Sequence, residues 1–396
     1  MKRILVLGWW VVCGAWVGAA ESTLPSLVDE SLRKEVARAQ ERAFAWLLKQ
    51  QRENGSWNDH PAITGLALTA LYRSHRELTI EQREAAERAE KFILSCVKPT
   101  GAIYGGGEND KYPNYSTAIC IMALLATGKE EYRPVIQRAR EFLLGSQFDE
   151  GEGYTPDNPS YGGIGYGRRQ RPDMSNMAWA LEALKLTESL ETAAGDSPHE
   201  GARLHWQKAI QFLQRCQKLP EFNDQPWAKE TRDEDRGGFI YMPGDPAQGI
   251  PPFSFADEAV TTEPKPLRAH ASMSYAGLKS YIYADLKKDD PRVVAVVDWL
   301  RRYYTLDENP GVGQQGLYYY YQMMAKALTA YGEDTFTTAD GKKRDWRYEM
   351  MQRFVQLQRA DGYWQNDNNR WWENDPVLVT CYSLLALEVL QRRHYP

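Results

Sequence analysis

The stretch from Phe354 to Leu387 contains the pattern that decides the fold. It begins with an aromatic–aliphatic pair, Phe354-Val355, continues through Gln358-Arg-Ala-Asp-Gly362-Tyr-Trp364, and ends in the apolar run Val379-Thr-Cys-Tyr-Ser-Leu-Leu-Ala-Leu387. The pair lies in an amphipathic segment, which is typical of a helix with one buried face. The apolar run has no charged residue, so we expect a helix that is buried on every side. The glycine-containing segment between them predicts a turn.

This unit recurs six times along the chain. Its outer-type helices carry the pairs Trp46-Leu47, Phe92-Ile93, Phe142-Leu143, Phe212-Leu213, Trp299-Leu300 and Phe354-Val355. Each is followed by a turn rich in glycine and aromatics and then by an apolar stretch: Ile63–Leu71, Ser116–Leu124, Asn176–Leu184, Met273–Tyr281, Tyr320–Leu328 and Val379–Leu387. The alternation predicts an all-α fold, an (α/α)6 toroid in which six inner helices form a barrel wrapped by six outer helices. An open superhelix or two bundles explain less well why the inner stretches lack a charged face.

Two links between these helices are long, from Phe148 to Pro172 and from Pro220 to Arg268. Loops beyond about 12–15 residues are commonly functional or disordered. Aromatic residues in both links favour packed lids rather than flexible tethers.

Composition and charge exclude some classes of partner. Hydrophobic residues make up 43% of the chain and charged residues 26%, as in ordinary folded proteins. The formal net charge is −5, from 48 Lys and Arg against 53 Asp and Glu. This balance offers no electrostatic footprint for nucleic acid. We therefore expect neither DNA nor RNA as a partner.

The N-terminus has the pattern of an export signal. Lys2 and Arg3 precede an apolar stretch at positions 4–20 that ends in the small residues Gly18-Ala19-Ala20. A positive start, an apolar middle and a small-residue end predict a signal peptide over residues 1–20 and a secreted or periplasmic protein. An uncleaved N-terminal anchor is the alternative. Residues 21–396 are then expected to form one monomeric toroid domain without a membrane span.

Four cysteines follow the predicted leader: Cys96, Cys120, Cys216 and Cys381. In an oxidising compartment they could form two disulfides. The alternative is that all four are small buried core residues, because each lies in an apolar helical pattern.

Two segments identify a family resemblance. Gln51-Arg-Glu-Asn-Gly55-Ser-Trp57 and the segment from Gln358 to Trp364 share the pattern Gln-x3-Gly-x-Trp, and Gln147-Phe-Asp-Glu-Gly151 is a partial copy. This pattern resembles the QW repeat of squalene and hopene cyclases, and the chain from about residue 35 to 390 resembles the wider terpenoid cyclase and protein prenyltransferase superfamily. The resemblance implies a toroid with a central cavity for a hydrophobic or isoprenoid-like ligand.

The cyclase acid motif is altered in this chain. Alignment of the inner helices places residues 172–178 on the Pro-Asp-x-Asp-Asp-Thr-Ala motif of the cyclases. The first acid is present as Asp173, but the central acid falls on Ser175 and its neighbour on Asn176. A hydroxyl is too weak an acid to protonate an alkene. We therefore expect no proton-initiated cyclisation by that route.

Two other chemistries of this superfamily also lack their residues. The zinc ligands of the prenyltransferases fall on Asp173, Ser175 and Val379, which leaves one ligand of three. The thioester motif of complement-like proteins falls on Val312-Gly-Gln-Gln315, which has no cysteine. We expect no metal and no cofactor.

Candidate site residues lie where the inner helices begin, because a toroid of this kind has its mouth there. The candidate catalytic residues are His60, Asp173, His270 and Asp375. The alternative is that the aspartates cap helices and the histidines are structural. Four successive tyrosines, Tyr318–Tyr321, face all directions on a helix, so some point to the cavity and others away from it. The candidate cavity residues are Ser175, Asn176, Ser274, Gln314, Tyr318, Tyr320, Tyr321, Trp364 and Trp371.

Three functions stay open on the sequence alone. The first is an exported toroid that holds a hydrophobic or isoprenoid-like ligand. The second is a glycan-active enzyme that uses Asp59, Asp173 or Asp375 as acid and base. The third is a non-catalytic binding or scaffold toroid. A wall of Trp, Tyr and Leu favours the first, converging carboxylates under an open groove favour the second, and a mouth plugged by side chains favours the third.

Overall fold

The computed structural model describes residues 30–74, 76–105, 112–167, 170–190, 205–256 and 267–392. The predicted signal peptide lies outside these ranges. Six outer helices are present: α1 (Glu30–Lys49), α3 (Ile80–Ser95), α5 (Arg133–Leu144), α7 (Trp206–Cys216), α9 (Pro291–Arg302) and α11 (Trp346–Leu357). They alternate with six inner helices: α2 (Pro61–Arg73), α4 (Pro113–Ala126), α6 (Met174–Leu186), α8 (Ala271–Tyr283), α10 (Leu317–Tyr331) and α12 (Pro376–Leu390). A two-stranded antiparallel hairpin pairs β1 (Phe336–Thr337) with β2 (Lys343–Arg344).

The inner helices form a closed ring. They contact one another in the order α2, α4, α6, α8, α10 and α12, and α12 packs against α2. The outer layer closes as well, because its first helix, α1, contacts its last, α11. In an open superhelix the first and last inner helices would not touch, whereas here α12 packs against α2. The prediction of an all-α toroid is therefore confirmed.

Burial distinguishes the two rings as the sequence pattern predicts. Every residue of α12 from Val377 to Leu390 is buried. In the outer helix α5, burial is confined to Ile136, Ala139, Arg140, Leu143 and Leu144, which share one helical face. The inner ring is thus packed on all sides, and the outer ring shields it from water.

The Gln-x3-Gly-x-Trp segments link successive outer helices. The Gln51 amide donates to the carbonyls of Gly55 (2.9 Å), within its own turn, and Ala85 (2.8 Å), in the next outer helix. Gly55 has φ +86°, and a Cβ there would lie 2.3 Å from the Arg88 carbonyl oxygen. Glycine is therefore required both for the backbone conformation and for the close approach of α3. The Trp57 indole donates to the Leu47 carbonyl at 2.8 Å and closes the turn on α1.

The same arrangement joins the last repeat to the first. Gln358 donates to the carbonyls of Gly362 and Ala39, both at 2.7 Å, and the Trp364 indole donates to the Phe354 carbonyl at 2.8 Å. Since Ala39 lies in α1, this glutamine closes the outer ring. Two further glutamines, Gln147 and Gln217, make the equivalent pair of bonds.

Two other sequence expectations concern the cysteines and the membrane. Cys96, Cys120, Cys216 and Cys381 are buried, and none of these four thiols is in a disulfide. Within the ranges given above, every helix is too short or too polar to cross a bilayer.

Candidate functional site

A cavity of about 230 Å³ lies at the N-terminal ends of the inner helices. An apolar cavity of roughly 150 Å³ is enough to hold benzene, so this one has room for part of a larger apolar molecule. The described lining residues are His60, Ala62, Ile63, Leu66, Tyr112, Tyr115, Tyr166, Ser175, Tyr241, Phe255, His270, Ser272, Met273, Tyr319, Trp371, Trp372, Glu373, Leu378 and Tyr382.

Side chains that meet across the ring form the floor of the cavity. The hydroxyl oxygens of Ser175 on α6 and Tyr319 on α10 are 3.3 Å apart. Those of Tyr115 on α4 and Tyr382 on α12 are 3.4 Å apart. The rings of Tyr319 and Tyr382 pack edge to face at 6.0 Å. Since α6 and α10 are separated in the ring by α8, and α4 and α12 by α2, the two hydroxyl contacts join helices that are not neighbours and span the inside of the barrel.

The two long links supply part of the wall, as the sequence predicts for packed lids. Tyr166 comes from the first link and Tyr241 from the second, and their hydroxyl oxygens are 3.2 Å apart. Phe255 packs edge to face on Tyr241, with ring centroids 4.7 Å apart. On its other side Phe255 contacts Trp371 at 4.7 Å, so aromatic side chains form a continuous wall up to the mouth.

Two tryptophans lie at the mouth of the cavity. Trp371 and Trp372 are 37% and 49% exposed, and both have a positive φ, 53° and 63°. This conformation is unfavourable for a non-glycine residue and indicates local strain. Trp371 packs against Gly316, where a Cβ would lie 2.8 Å from the indole ring. Glycine at that position therefore allows the indole to pack against the start of α10.

Asp173 caps the inner helix α6 beside the cavity. Its carboxylate accepts hydrogen bonds from the backbone N–H of Asn176 (3.0 Å) and from the Asn176 side-chain amide (2.7 Å). Burial raises the pKa of Asp173 to about 6, although these hydrogen bonds act in the opposite direction. Asp173 is thus a weaker acid than an ordinary aspartate, and its protonation state changes near pH 6.

Glu373 is a second buried carboxyl group, and it lines the cavity. It caps α10 from a distant loop, accepting from the backbone N–H groups of Tyr318 (3.2 Å) and Tyr319 (2.8 Å) and from the Asn366 amide (2.7 Å). The N-cap residue of α10 is Gly316, which has no side chain to do so. Burial raises the pKa of Glu373 to about 7, against the effect of these donors.

At the start of the other inner helices, backbone N–H groups also donate hydrogen bonds to acceptors of this chain. Asp375 caps α12, accepting from the amides of Val377 (2.8 Å) and Leu378 (3.2 Å). His60 caps α2 through Nδ1, which accepts from the Ala62 amide at 3.2 Å. These two predicted site residues therefore act as helix caps, which was the structural alternative on the sequence.

The helices α4 and α8 receive caps from neighbouring segments. The Tyr166 carbonyl accepts from the Asn114 amide in α4 at 3.0 Å. The Asn309 side chain accepts from the Ser272 amide in α8 at 3.1 Å. All six inner helices thus present to the cavity N-termini at which this chain already supplies an acceptor.

His270 is a neutral imidazole in the cavity wall. Its Nδ1 is 3.2 Å from the Ser272 hydroxyl oxygen. Burial lowers the pKa of His270 to about 3, so the ring carries no charge at neutral pH. In the described part of the chain its buried Nε2 has no hydrogen-bond partner.

The structure brings four of the predicted site residues into the cavity lining: His60, Ser175, His270 and Trp371. It corrects the expected positions of Tyr318, Tyr320 and Tyr321, which lie between the inner and outer rings. The Tyr320 and Tyr321 hydroxyls donate to the carbonyls of Thr305 and Leu306, and Tyr318 packs edge-on against Tyr321.

Other predicted cavity residues have structural contacts elsewhere. Trp364 belongs to the outer-ring turn described above. Gln314 donates to the Asp307 carbonyl at 2.8 Å near the surface. Ser274 donates to the His270 carbonyl and accepts from the Phe239 amide, both at 3.0 Å. Asn176, Asp173 and Asp375 take part in helix capping and are absent from the described lining.

Sequence reasoning missed several residues of the site. Tyr115, Tyr382 and Glu373 line the cavity but were not candidates. A tyrosine within an otherwise aliphatic inner-helix run is a signal that could have identified the first two, since its hydroxyl needs a polar partner. For Glu373 the signal is the missing side-chain cap at Gly316.

Metal binding has no support in this geometry. Over the described ranges, no group of three or more His, Cys, Asp or Glu side chains is arranged to hold a metal ion.

Comparison with known proteins agrees with this architecture. The model of the squalene-hopene cyclase C-terminal domain matches residues 62–233, from α2 through α7. The apo structure of the type II terpene cyclase MstE from Scytonema is 12% identical, with 90% of this chain and 97% of that chain covered and a TM-score of 0.51. A variant of that enzyme in complex with geranylgeranyl dihydroxybenzoate is 11% identical, with 91% and 99% covered and a TM-score of 0.51. At this identity the likeness shows the fold, and the predicted resemblance to terpenoid cyclases is confirmed.

Proposed function

From the premise that this chain is a divergent terpenoid cyclase-like protein, we propose that its cavity binds an isoprenoid-like ligand. The observation that carries the proposal is the composition of the wall. Nine of the nineteen described lining residues are Tyr, Phe or Trp, and five more are Ala, Ile, Leu or Met. Such a wall excludes water from an apolar chain and offers it contact on all sides.

Binding without cyclisation agrees best with the acid groups near the cavity. The position of the central cyclase acid is occupied by Ser175. The carboxyl groups of Asp173 and Glu373 have pKa values raised to about 6 and about 7. A raised pKa means a weaker acid, whereas protonation of an alkene needs a stronger one. The chain of the Scytonema enzyme's substrate is geranylgeranyl, and we propose a ligand of that class for this cavity without the acid step.

The glycan-active alternative has less support. Asp173 and Asp375 are each engaged as the cap of their own helix, and the Asp59 carboxylate accepts hydrogen bonds from Asn54 and Ser56. A glycosidase needs two carboxyl groups on either side of one bond, beneath an open groove. The scaffold alternative predicts a plugged mouth, and the open volume of about 230 Å³ argues against it.

We further propose that binding takes place outside the cytoplasm. The support is the signal-peptide pattern of residues 1–20, with Lys2 and Arg3 ahead of an apolar stretch and Gly18-Ala19-Ala20 at its end. Sequencing the N-terminus of the protein recovered from the exported fraction tests this. A start at Glu21 is expected, and retention of Met1 contradicts it.

Mass spectrometry of an organic extract of the purified protein tests the ligand class. We expect an isoprenoid mass in the wild type. It should be lost in Ala62→Phe, because the phenylalanine ring would extend from α2 into the cavity and fill part of it. Ala62→Ser, which keeps the volume, is the matched control and should retain the ligand. Recovery of oligosaccharides, or equal recovery of isoprenoids from Ala62→Phe, would contradict the proposal.

A further inference from the structure

We infer, resting on the proposed function, that the isoprenoid-like ligand ends in an uncharged hydroxyl or carbonyl group whose oxygen binds among the hydroxyl groups at one side of the cavity. This hydroxyl cluster consists of Tyr115, Tyr166, Ser175, Tyr241, Tyr319 and Tyr382. The remaining wall then holds the apolar chain.

The hydrogen bonds within the hydroxyl cluster leave donors for a ligand. Six hydroxyl groups make three hydroxyl–hydroxyl contacts, and each contact uses one proton. A fourth proton serves the interaction of Tyr241 with Asp173. On the described residues, two protons thus stay available for an acceptor in the cavity. The three contacts are 3.2–3.4 Å long, against about 2.7–2.8 Å for a usual O–H···O bond.

The tyrosines of the cluster keep their protons at neutral pH. Burial raises the pKa of Tyr115 to about 12 and holds the pKa values of Tyr319 and Tyr382 well above the usual range. They therefore act as neutral donors to an oxygen and supply no negative charge.

Charge in the cavity disfavours an anionic head group. The described lining contains no Lys or Arg and does contain the Glu373 carboxyl. The Arg370 guanidinium instead packs over the rings of Phe255 (5.3 Å) and Trp371 (5.6 Å). Helix N-termini commonly bind phosphate through their free backbone N–H groups. Here the N-terminus of each inner helix already donates a backbone hydrogen bond to an acceptor of this chain, among them Asp173, Glu373 and Asp375. A phosphate or carboxylate would have to be buried without a compensating positive charge, which is strongly unfavourable.

Most of the apolar residues lie on α2 and α8, which contribute no hydroxyl group to the cluster, and this separation gives the ligand a direction. Ala62, Ile63 and Leu66 come from α2, Met273 from α8 and Leu378 from α12. With the oxygen at the hydroxyl cluster, the chain extends along these residues toward Trp371 and Trp372 at the mouth.

Three probes with one carbon skeleton test the inference: geranylgeraniol, geranylgeranyl diphosphate, and the hydrocarbon in which hydrogen replaces the hydroxyl group. Dissociation constants are measured by quenching of tryptophan fluorescence in the purified protein. We expect the alcohol to bind roughly tenfold more tightly than the hydrocarbon, as one or two hydrogen bonds contribute. The diphosphate should bind at least tenfold more weakly than the alcohol.

A pair of neighbouring variants locates the oxygen. Tyr319→Phe should weaken binding of the alcohol roughly threefold to tenfold and leave the hydrocarbon unchanged. Tyr320→Phe is the matched control, because its hydroxyl donates to the Thr305 carbonyl outside the cavity. It should change neither affinity. Ser175→Ala, which removes the hydroxyl group that contacts Tyr319 from α6, provides a second test if Tyr319→Phe does not fold.

The outcomes separate this inference from the proposed function. Equal affinities for alcohol and hydrocarbon, or a diphosphate that binds as tightly as the alcohol, overturn the inference while isoprenoid binding stands. An alcohol affinity unchanged in both Tyr319→Phe and Ser175→Ala also overturns it. Failure of all three probes to bind overturns the proposed function itself.

Discussion

The two ends of the inner barrel carry helix partial charges of opposite sign, and different ionisable side chains are buried at each end. All six inner helices begin at the cavity, so their partial positive ends meet there and their partial negative ends meet at the other end. At the cavity end the carboxylates of Asp173 and Asp375 and the carboxyl of Glu373 cap the helices. Toward the other end, Lys279 and Lys326 are buried against Glu182, at 2.6 and 2.8 Å.

The two buried carboxyl groups show what this difference means. Burial raises the pKa of Asp173, which among the described residues accepts hydrogen bonds from neutral donors only. Burial would also raise the pKa of Glu182, but attraction to Lys279 and Lys326 outweighs it and holds that pKa well below the usual range. In the described part of the chain, one end of the barrel therefore has carboxyl groups without a cationic partner beside an open cavity, and the other end has a closely packed cluster of opposite charges.

The end of the barrel with this charge cluster also has little room. The space beside Glu182 and Lys326 measures only about 10 Å³, which is at the lower limit for one water molecule. Trp179 covers the ion cluster from the cavity side, with Lys326 Nζ 4.4 Å from its ring. As far as the described residues show, the space at this end is too small for a ligand, whereas the cavity at the other end opens beside Trp371 and Trp372.

Glu182→Gln should break this arrangement with the largest effect. It removes the carboxylate between two buried ammonium groups, which are then close to each other without its compensating charge. We expect a loss of about 3–5 kcal/mol in the free energy of unfolding, measured by urea denaturation.

Glu188→Gln is the control for that variant. Glu188 lies after α6 and pairs with Lys185 as a half-exposed ion pair, so the expected loss is below about 1 kcal/mol. If Glu182→Gln lost no more than this control, the ionic end would not be a stabilising element of the barrel.

Asp173→Asn tests the cavity end of the barrel through the pH dependence of stability. In the wild type the folded-state pKa is raised from 3.8 to about 6, so the folded protein holds a proton that the unfolded chain releases. Its stabilising effect is fully present below about pH 4 and is lost as the pH rises through 6. Asparagine has no such proton. The stability of Asp173→Asn relative to wild type should therefore rise by on the order of 3 kcal/mol from pH 4 to pH 7.

The asparagine variant can keep the helix cap. Its side-chain oxygen can accept from the Asn176 backbone N–H, as Asp173 does. The Asn176 side-chain oxygen Oδ1 has no partner among the described residues, and rotation of that side chain lets it accept from the NH2 group that the substitution introduces. Urea titrations of both proteins at several pH values provide the measurement. A relative stability independent of pH would mean that Asp173 titrates normally in the folded chain.

The sequence pattern predicted the ring because the pattern is local. Each helix is encoded by its own periodicity, and six repeats of one unit lead to closure. The start of each inner helix could likewise be read directly, and His60, Ser175 and His270, which lie at such starts, line the cavity. The rotation of a helix about its axis is harder to read, because successive residues differ by about 100°. Hence Tyr319 could not be distinguished from its three tyrosine neighbours.

Long-range pairs account for the rest. Glu373 caps a helix that begins 56 residues earlier along the chain (373 − 317 = 56), and no periodicity connects the two positions. The ion cluster is similar: Glu182, Lys279 and Lys326 lie on three different helices and look like isolated charges in apolar runs. Only the closure of the ring brings them together.

The smallest expected effect comes from a matched pair of glycines at the two ends of α10. Gly316 precedes the helix and Gly332 follows it, and both have left-handed backbones, with φ of 62° and 72°. Replacement by alanine costs about 1 kcal/mol at each from the backbone alone. At Gly316 the new Cβ would also lie 2.8 Å from the Trp371 ring, whereas at Gly332 the nearest atom is Lys288 Nζ at 3.9 Å.

Gly316→Ala should therefore lose about 1 kcal/mol more than Gly332→Ala in urea denaturation, because the indole must move. It should also shift the tryptophan fluorescence to longer wavelength, since Trp371 would leave its position across the mouth, and Gly332→Ala should leave the spectrum unchanged. Equal losses and identical spectra for the two variants would show that Trp371 has no fixed position on Gly316. The mouth would then contain aromatic residues, but Trp371 would form no ordered cover over the cavity.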